Sequence, residues 1–227
     1  MAHLAAMTEE DRTRVGAAVT AAEAATAGEI VTILAEASDD YGDVALAWAA
    51  AVALLALVVL ALAPDFYIGL YDRITGHWST AWTPGRVLGM AALVATLKFA
   101  GTWLILLWRP LRLALAPAPL KHRRVHARAL AAFRIGAERR TTGRTGILIY
   151  LSLAERRAEI IADETIAGKV GAEVWGDALA AMLIELKAGR MADGLIAAVG
   201  KVGGVLAAHF PRAEGDVNEL PDRLIEV

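Results

Sequence analysis

The sequence predicts an α/β domain interrupted by a two-helix membrane hairpin. Three observations carry that prediction: unbroken apolar runs at 45–63 and 87–108, short β-branched or wholly apolar segments at 29–35, 145–151 and 157–162, and helical periodicity through most of the remainder. At a rise of about 1.5 Å per residue the two runs extend ~28 Å and ~33 Å as helices, against a bilayer core of about 30 Å. Leu54-Leu55-Ala56-Leu57-Val58-Val59-Leu60 and Leu104-Ile105-Leu106-Leu107 are apolar around the whole helical circumference, unlike the single stripe of a surface helix.

Composition agrees. Of 227 residues 57% are hydrophobic and 21% charged, the mixture expected of a charged domain joined to a small membrane unit. The expected division is residues 1–43 as the first part of the domain, 44–108 as the hairpin, and 109–227 as a basic linker followed by the second part. A net charge of −2 supplies no basic field for nucleic acid. The absence of cysteine excludes disulfides, thiolate metal sites and a cysteine nucleophile.

Thr8 caps a first helix with Asp11 three residues on, and Val15, Ala18, Val19, Ala22 and Ala25 recur along it until Gly28, a suitable residue to follow a helix. The run 29–35 is a strand. It needs partners, and the apolar run 145–151 reads as a central one. Only five residues separate that run from 157–162, too few for a crossover helix, so those two strands should pair antiparallel. Helices follow from the periodicity of 121–137, 174–188 and 192–209. Glycines at 200, 203 and 204 mean that the last helix either packs closely on a neighbour or breaks there.

Orientation is read from the flanks. Arg109, Arg112, Lys121, Arg123 and Arg124 follow the second run, whereas the segment between the runs holds Arg73 and Arg86. The positive-inside rule places both termini in the cytoplasm and 64–86 outside, and the first ten residues lack the features of a cleavable signal. The same five basic residues suit anionic lipid headgroups. Trp78, Trp82 and Trp108 are expected as interfacial anchors.

Several segments together resemble the TPM-domain family: Thr26-Ala27-Gly28-Glu29-Ile30-Val31, Thr141-Thr142-Gly143-Arg144-Thr145-Gly146 continuing to Ser152, Glu155 to Asp163, Trp175, and the tail from Phe210-Pro211 to Asn218-Glu219-Leu220-Pro221-Asp222. The resemblance covers roughly residues 8–37 and 125–222. It implies an α/β/α sandwich. It also implies acid phosphatase activity with metal binding, as in a thylakoid-lumen member, or an accessory role, as in animal membrane members. Typical members carry a signal peptide and place the domain outside the cytoplasm; the inserted hairpin and basic flank depart from that pattern and weigh against transferring a lumenal enzymatic role.

Lys98 stands inside the second run with no Asp or Glu in either run to pair with it. A central Lys costs about 2.5–3.5 kcal/mol on insertion scales, so either an acidic group of another membrane protein meets it or the surrounding Leu and Ile offset the cost. Small residues Ala92, Thr96 and Ala100, with Ala91, Ala95 and Thr102 on the Lys98 side and Ala49, Ala53 and Ala56 on the first helix, permit either hairpin packing or self-association. His122 and His126 have the i, i+4 spacing of metal ligands but sit in a positive field that disfavours a cation. Carboxylates are the better candidates for Ca²⁺ or Mg²⁺: Asp39, Asp40 and Asp43, Asp163 and Glu164, and Glu219 and Asp222, with Asp163 matching an acidic position of the family motif. Nucleophile and phosphate-loop motifs are absent.

These readings converge on an inner-membrane protein of bacterial type whose TPM-like domain binds a partner as a non-catalytic accessory or assembly module. The alternatives are a metal-assisted phosphatase and a self-assembling membrane scaffold.

Overall fold

The computed structural model describes residues 7–76, 82–136, 145–212 and 222–227. In chain order they form α1 (Glu9–Glu23), β1 (Glu29–Ala35), α2 (Gly42–Leu62), α3 (Pro64–Thr75), α4 (Pro84–Ile105), α5 (Arg109–Leu115), α6 (Ala118–Gly136), β2 (Gly146–Ser152), β3 (Arg157–Ala162), α7 (Glu164–Ala167), α8 (Ala172–Lys187), α9 (Met191–His209) and β4 (Ile225–Glu226). The chain divides into two units, Met1–Asp39 with Ala118–Val227, and Asp40–Pro117.

The first unit is built on a four-stranded open sheet of order β3-β2-β1-β4. β1 runs parallel to β2, with Glu29 opposite Gly146 and Ala35 opposite Ser152, and β3 returns antiparallel to β2. β4 adds a short parallel edge at Ile33 and Leu34. Every residue of β1 and β2 is buried, because helices cover both faces. Ile30, Leu34, Ile147 and Ile149 join Val15 and Val19 of α1, Met182 of α8 and Leu195 and Val199 of α9 in the larger core. Alternation sends Val31, Ile33, Leu148 and Tyr150 to the other face, where Val125, Ala129 and Phe133 of α6 cover them. The result is an α/β fold with a helical layer on each side of a small sheet.

Local chemistry fixes the elements. Thr8 closes a capping box on α1: its hydroxyl accepts from the Asp11 N–H at 3.1 Å while its own N–H donates to Asp11 Oδ2 at 3.3 Å. Gly189, at φ +81°, follows α8 and its cap residue Ala188 in the left-handed conformation that suits glycine. α1 stops at Glu23 rather than running on to Gly28, because Thr26 diverts the chain: its hydroxyl donates to the Phe210 carbonyl at 2.6 Å and accepts from the Gly28 N–H at 3.0 Å. Gly28 serves close approach instead, since a Cβ there would lie 2.9 Å from Leu206 Cδ1. α9 runs unbroken through its glycines, and Gly203 lets it press onto α1.

In the second unit α2 and α4 pack along each other. Ala45 and Ala49 are buried, Ala53, Ala56, Ala91 and Ala95 are half-buried, and Ala92 and Thr96 are exposed, so most of the small-residue stripes serve intramolecular packing. No residue of α4 is buried, and Leu54, Leu62, Leu88 and Leu97 are all more than 60% exposed. α2 starts behind Tyr41, whose backbone is left-handed at φ 57°, with Asp43 in its first turn and no side-chain cap. The second apolar run is helical only to Ile105; 106–108 turn, and Trp108 stands as N-cap of α5.

Three helices, α2, α4 and α9, are long and apolar enough to cross a membrane by length and composition. They differ in surroundings: half of the apolar window of α9 is buried inside its own unit, against 22% for α2 and none for α4.

Candidate functional site

One end of the sheet in the first unit carries a polar depression of about 170 Å³ lined by Thr20, Glu23 and Ala24 of the α1 end, Thr26, Glu29 at the start of β1, Arg212 beyond α9 and Asp222 before β4. That volume is well below the roughly 300–1,000 Å³ of a drug-sized ligand pocket, so it suits a few waters or a small ion. Glu23, Thr26 and Glu29 are each less than 9% exposed. Glu23 Oε1 accepts from the Ile30 N–H at 2.6 Å, and Asp222 Oδ2 accepts from the Thr20 hydroxyl at 2.6 Å. The Asp222 backbone closes down on α1 at Gly16, where a Cβ would lie 3.0 Å from its carbonyl oxygen.

Burial pushes the Glu23 carboxyl up to about 8, the Ile30 N–H opposes the rise, and the charges of Glu29 and Asp222 add to it. Burial and the neighbouring carboxylates thus favour the neutral acid form of Glu23, which hydrogen-bonds Asp222. Asp222 and Arg212 line the same depression.

The four carboxylates favoured as metal ligands lie elsewhere and are not gathered into one cluster. Asp163 N donates to the Gly146 carbonyl, which puts it at the start of β2; its side chain caps α7 by accepting from the Glu164 N–H at 2.9 Å, and its Oδ2 is buried without a hydrogen bond among the described residues. Asp39 lies beyond the opposite end of β1, a strand's length of roughly 20 Å away, and pairs with Arg124 at 3.0 Å. Asp40 accepts from the Gly42 N–H at 2.9 Å. Among the described residues no group of three or more His, Cys, Asp or Glu is arranged to hold a metal ion. Glu219 and Trp78 lie outside the described residues, as do Gly143 and Arg144.

His122 and His126 turn toward a carboxylate from β3. His126 Nδ1 lies 2.7 Å from Glu159 Oε2 and His122 Nδ1 lies 3.6 Å from Glu159 Oε1. The field around the histidines is thus less uniformly positive than α6 alone suggests.

A second buried polar knot ties the end of β1 to the β2–β3 turn. The Ser38 N–H donates to both oxygens of Glu155 at 3.1 and 3.2 Å, the Ser38 hydroxyl lies 3.1 Å from the Tyr150 hydroxyl and 3.0 Å from Ser152 Oγ, and Ser152 donates to Glu155. Burial pushes the Tyr150 phenol up, while Ser38 and Arg128 pull it back. These bonds clamp the end of β1 to the β2–β3 turn.

Of the basic residues, Arg109 and Arg112 lie on α5, and Lys121, Arg123 and Arg124 on α6; Arg123 is exposed, and Arg124 is committed to Asp39. Trp108 is 65% exposed and Trp82 donates its indole N–H to Asp72 at 3.3 Å. Lys98 is exposed on α4, next in sequence to the exposed Leu97, with no ion-pair partner among the described residues.

Residues 122–205, running from α6 through β2 and β3 to α9, match the family model for the TPM domain. The chain therefore contains a TPM-domain-like region within its first unit. No curated protein matches the chain. Among solved structures, the NMR structure of the BA42 protein from the psychrophilic bacterium Bizionia argentinensis is similar to it, at a TM-score of 0.55 and 18% identity over 97% of this chain and 95% of that one. That likeness concerns the fold.

Proposed function

We propose that α2 and α4 cross a bacterial inner membrane as a hairpin and that the TPM-like unit acts beside it as a non-catalytic accessory module binding another membrane protein. The carrying observation is the surface of α4: a 22-residue apolar helix without one buried residue needs surroundings as apolar as itself. The basic residues of α5 and α6 support placing both termini in the cytoplasm, with Arg109, Arg112, Lys121 and Arg123 near lipid headgroups and Trp82 and Trp108 at the interfaces. Lys98, an exposed cation within the span, supports a contact with an acidic group of the partner. The lack of a metal-holding cluster among the described residues favours a module over a metal-assisted phosphatase.

Two measurements test this reading. The full-length protein should remain with membranes through alkaline carbonate extraction, and recovery in the aqueous fraction would remove the anchor. The detergent-purified protein should leave a generic phosphate ester intact with and without Mg²⁺ or Ca²⁺; metal-dependent turnover would replace the accessory role with the phosphatase one. Impermeant thiol labelling of an Arg73→Cys variant from the periplasmic side checks the orientation.

A further inference from the structure

α3 follows α2 after one residue, Ala63, whose backbone (φ −136°, ψ 56°) breaks the helix. The 21 residues of α2 extend about 31 Å, so the chain turns where a bilayer core ends. α3 itself is amphipathic. Phe66, Leu70 and Ile74 recur every fourth residue in one exposed stripe, and Ile74 is 76% exposed, while Asp65, Gly69 and Asp72 form the opposite face. A third flank, Tyr67 and Ile68, lines an apolar crevice with Leu57, Leu60 and Met90 of α2 and α4. α3 is thus held to the hairpin by one side and leaves a second apolar side uncovered.

We infer that α3 lies in the membrane–water boundary, with Phe66, Leu70 and Ile74 set into the acyl region. This rests on the proposal that α2 and α4 span the bilayer. Lipid is the occupant the observations favour: the stripe continues the exposed apolar surface of α2 and α4, within the same unit and directly after Leu62. Its borders have the chemistry of that boundary. Arg73 flanks the stripe on the polar side, and Tyr71 stacks edge-on against Trp82 at 5.3 Å, with the indole N–H turned to Asp72. α3 therefore acts as an in-plane anchor.

The chain has no cysteine, so single-cysteine probes are clean. Environment-sensitive fluorophores on Phe66→Cys, Leu70→Cys and Ile74→Cys in the full-length protein, reconstituted in phosphatidylethanolamine–phosphatidylglycerol vesicles, should be quenched by a shallow nitroxide lipid and shielded from iodide. Probes on Asp65→Cys and Gly69→Cys should respond to iodide. A probe on Leu54→Cys reports the span itself through a deep nitroxide. Leu54 in lipid with every α3 probe in water overturns the α3 inference and leaves the anchor standing; Leu54 in water removes both. Stripe probes shielded from iodide yet untouched by any nitroxide lipid would mean that protein covers the stripe, which also overturns the inference.

Discussion

Gly203 of α9 lies so close to Ala22 of α1 that a Cβ on the glycine would come within 2.7 Å of the alanine Cβ. Gly203→Ala should therefore force the two helices apart, at a cost of about 1–3 kcal/mol. At Gly200 and Gly204 an added methyl group would meet nothing within 4 Å, and Gly200→Ala should instead stabilise by about 0.5–1 kcal/mol through helix propensity. Thermal unfolding of the Gly203→Ala and Gly200→Ala variants in the same detergent should move in opposite directions. A neutral Gly203→Ala would mean that α1 and α9 are not in tight contact.

Glu23 makes stability depend on pH in a defined direction. Its carboxyl titrates near 8 in the folded chain against an ordinary 4.5, so between those values the native state holds a proton that the unfolded state has released. Stability from this group is complete below about pH 4.5 and declines as pH rises through 8. Glu23→Gln keeps an oxygen for the Ile30 N–H and a donor toward Asp222, and should flatten that decline. Denaturant midpoints at pH 5 and pH 9 check it: wild type should lose more than the variant, and equal losses would refute the neutral carboxyl.

The clamp at the end of β1 depends on one carboxylate. Glu155→Ala strips the acceptor from the half-buried Ser38 N–H and the buried Ser152 hydroxyl, and should cost about 2–4 kcal/mol. Glu155→Gln retains one oxygen and should cost less. A Glu155→Ala variant as stable as Glu155→Gln would show that the knot contributes little.

On the proposed hairpin, Lys98→Leu should insert more readily, by about 2.5–3.5 kcal/mol on insertion scales, and should weaken the proposed contact with a membrane partner. A photocrosslinker at the neighbouring exposed Leu97 reads the second effect. Crosslinks that persist unchanged in the variant would assign Lys98 to a tolerated position in lipid.

Much of the framework was readable from local chemistry. β1 and β3 begin and end at the expected residues, because Gly28 precedes the β-branched run of β1 and a short turn, 153–156, precedes β3. Thr8 and Asp11 announced their cap at the right spacing. α3 escaped because the segment between the two apolar runs read as a loop, although Phe66, Leu70 and Ile74 already had helical spacing. β4 has two residues and therefore no period; only pairing with a strand far away in sequence defines it. The acidic depression was legible in part. Asp222 stood among the candidate carboxylates, but Glu23 resembles any surface charge near a helix end until a distant segment closes over it.

The parallel pairing of β1 with β2 across an inserted unit has a consequence for biogenesis. During translation β1 leaves the ribosome first, and its neighbours Ile147 and Ile225 emerge only after α2 and α4 have been made. On the proposed hairpin, capture of those helices by the insertion machinery precedes completion of the sheet, and β1 waits unpaired until its partners are made. A cell short of insertion capacity would accumulate chains with an open strand edge, a ready substrate for chaperones and proteases.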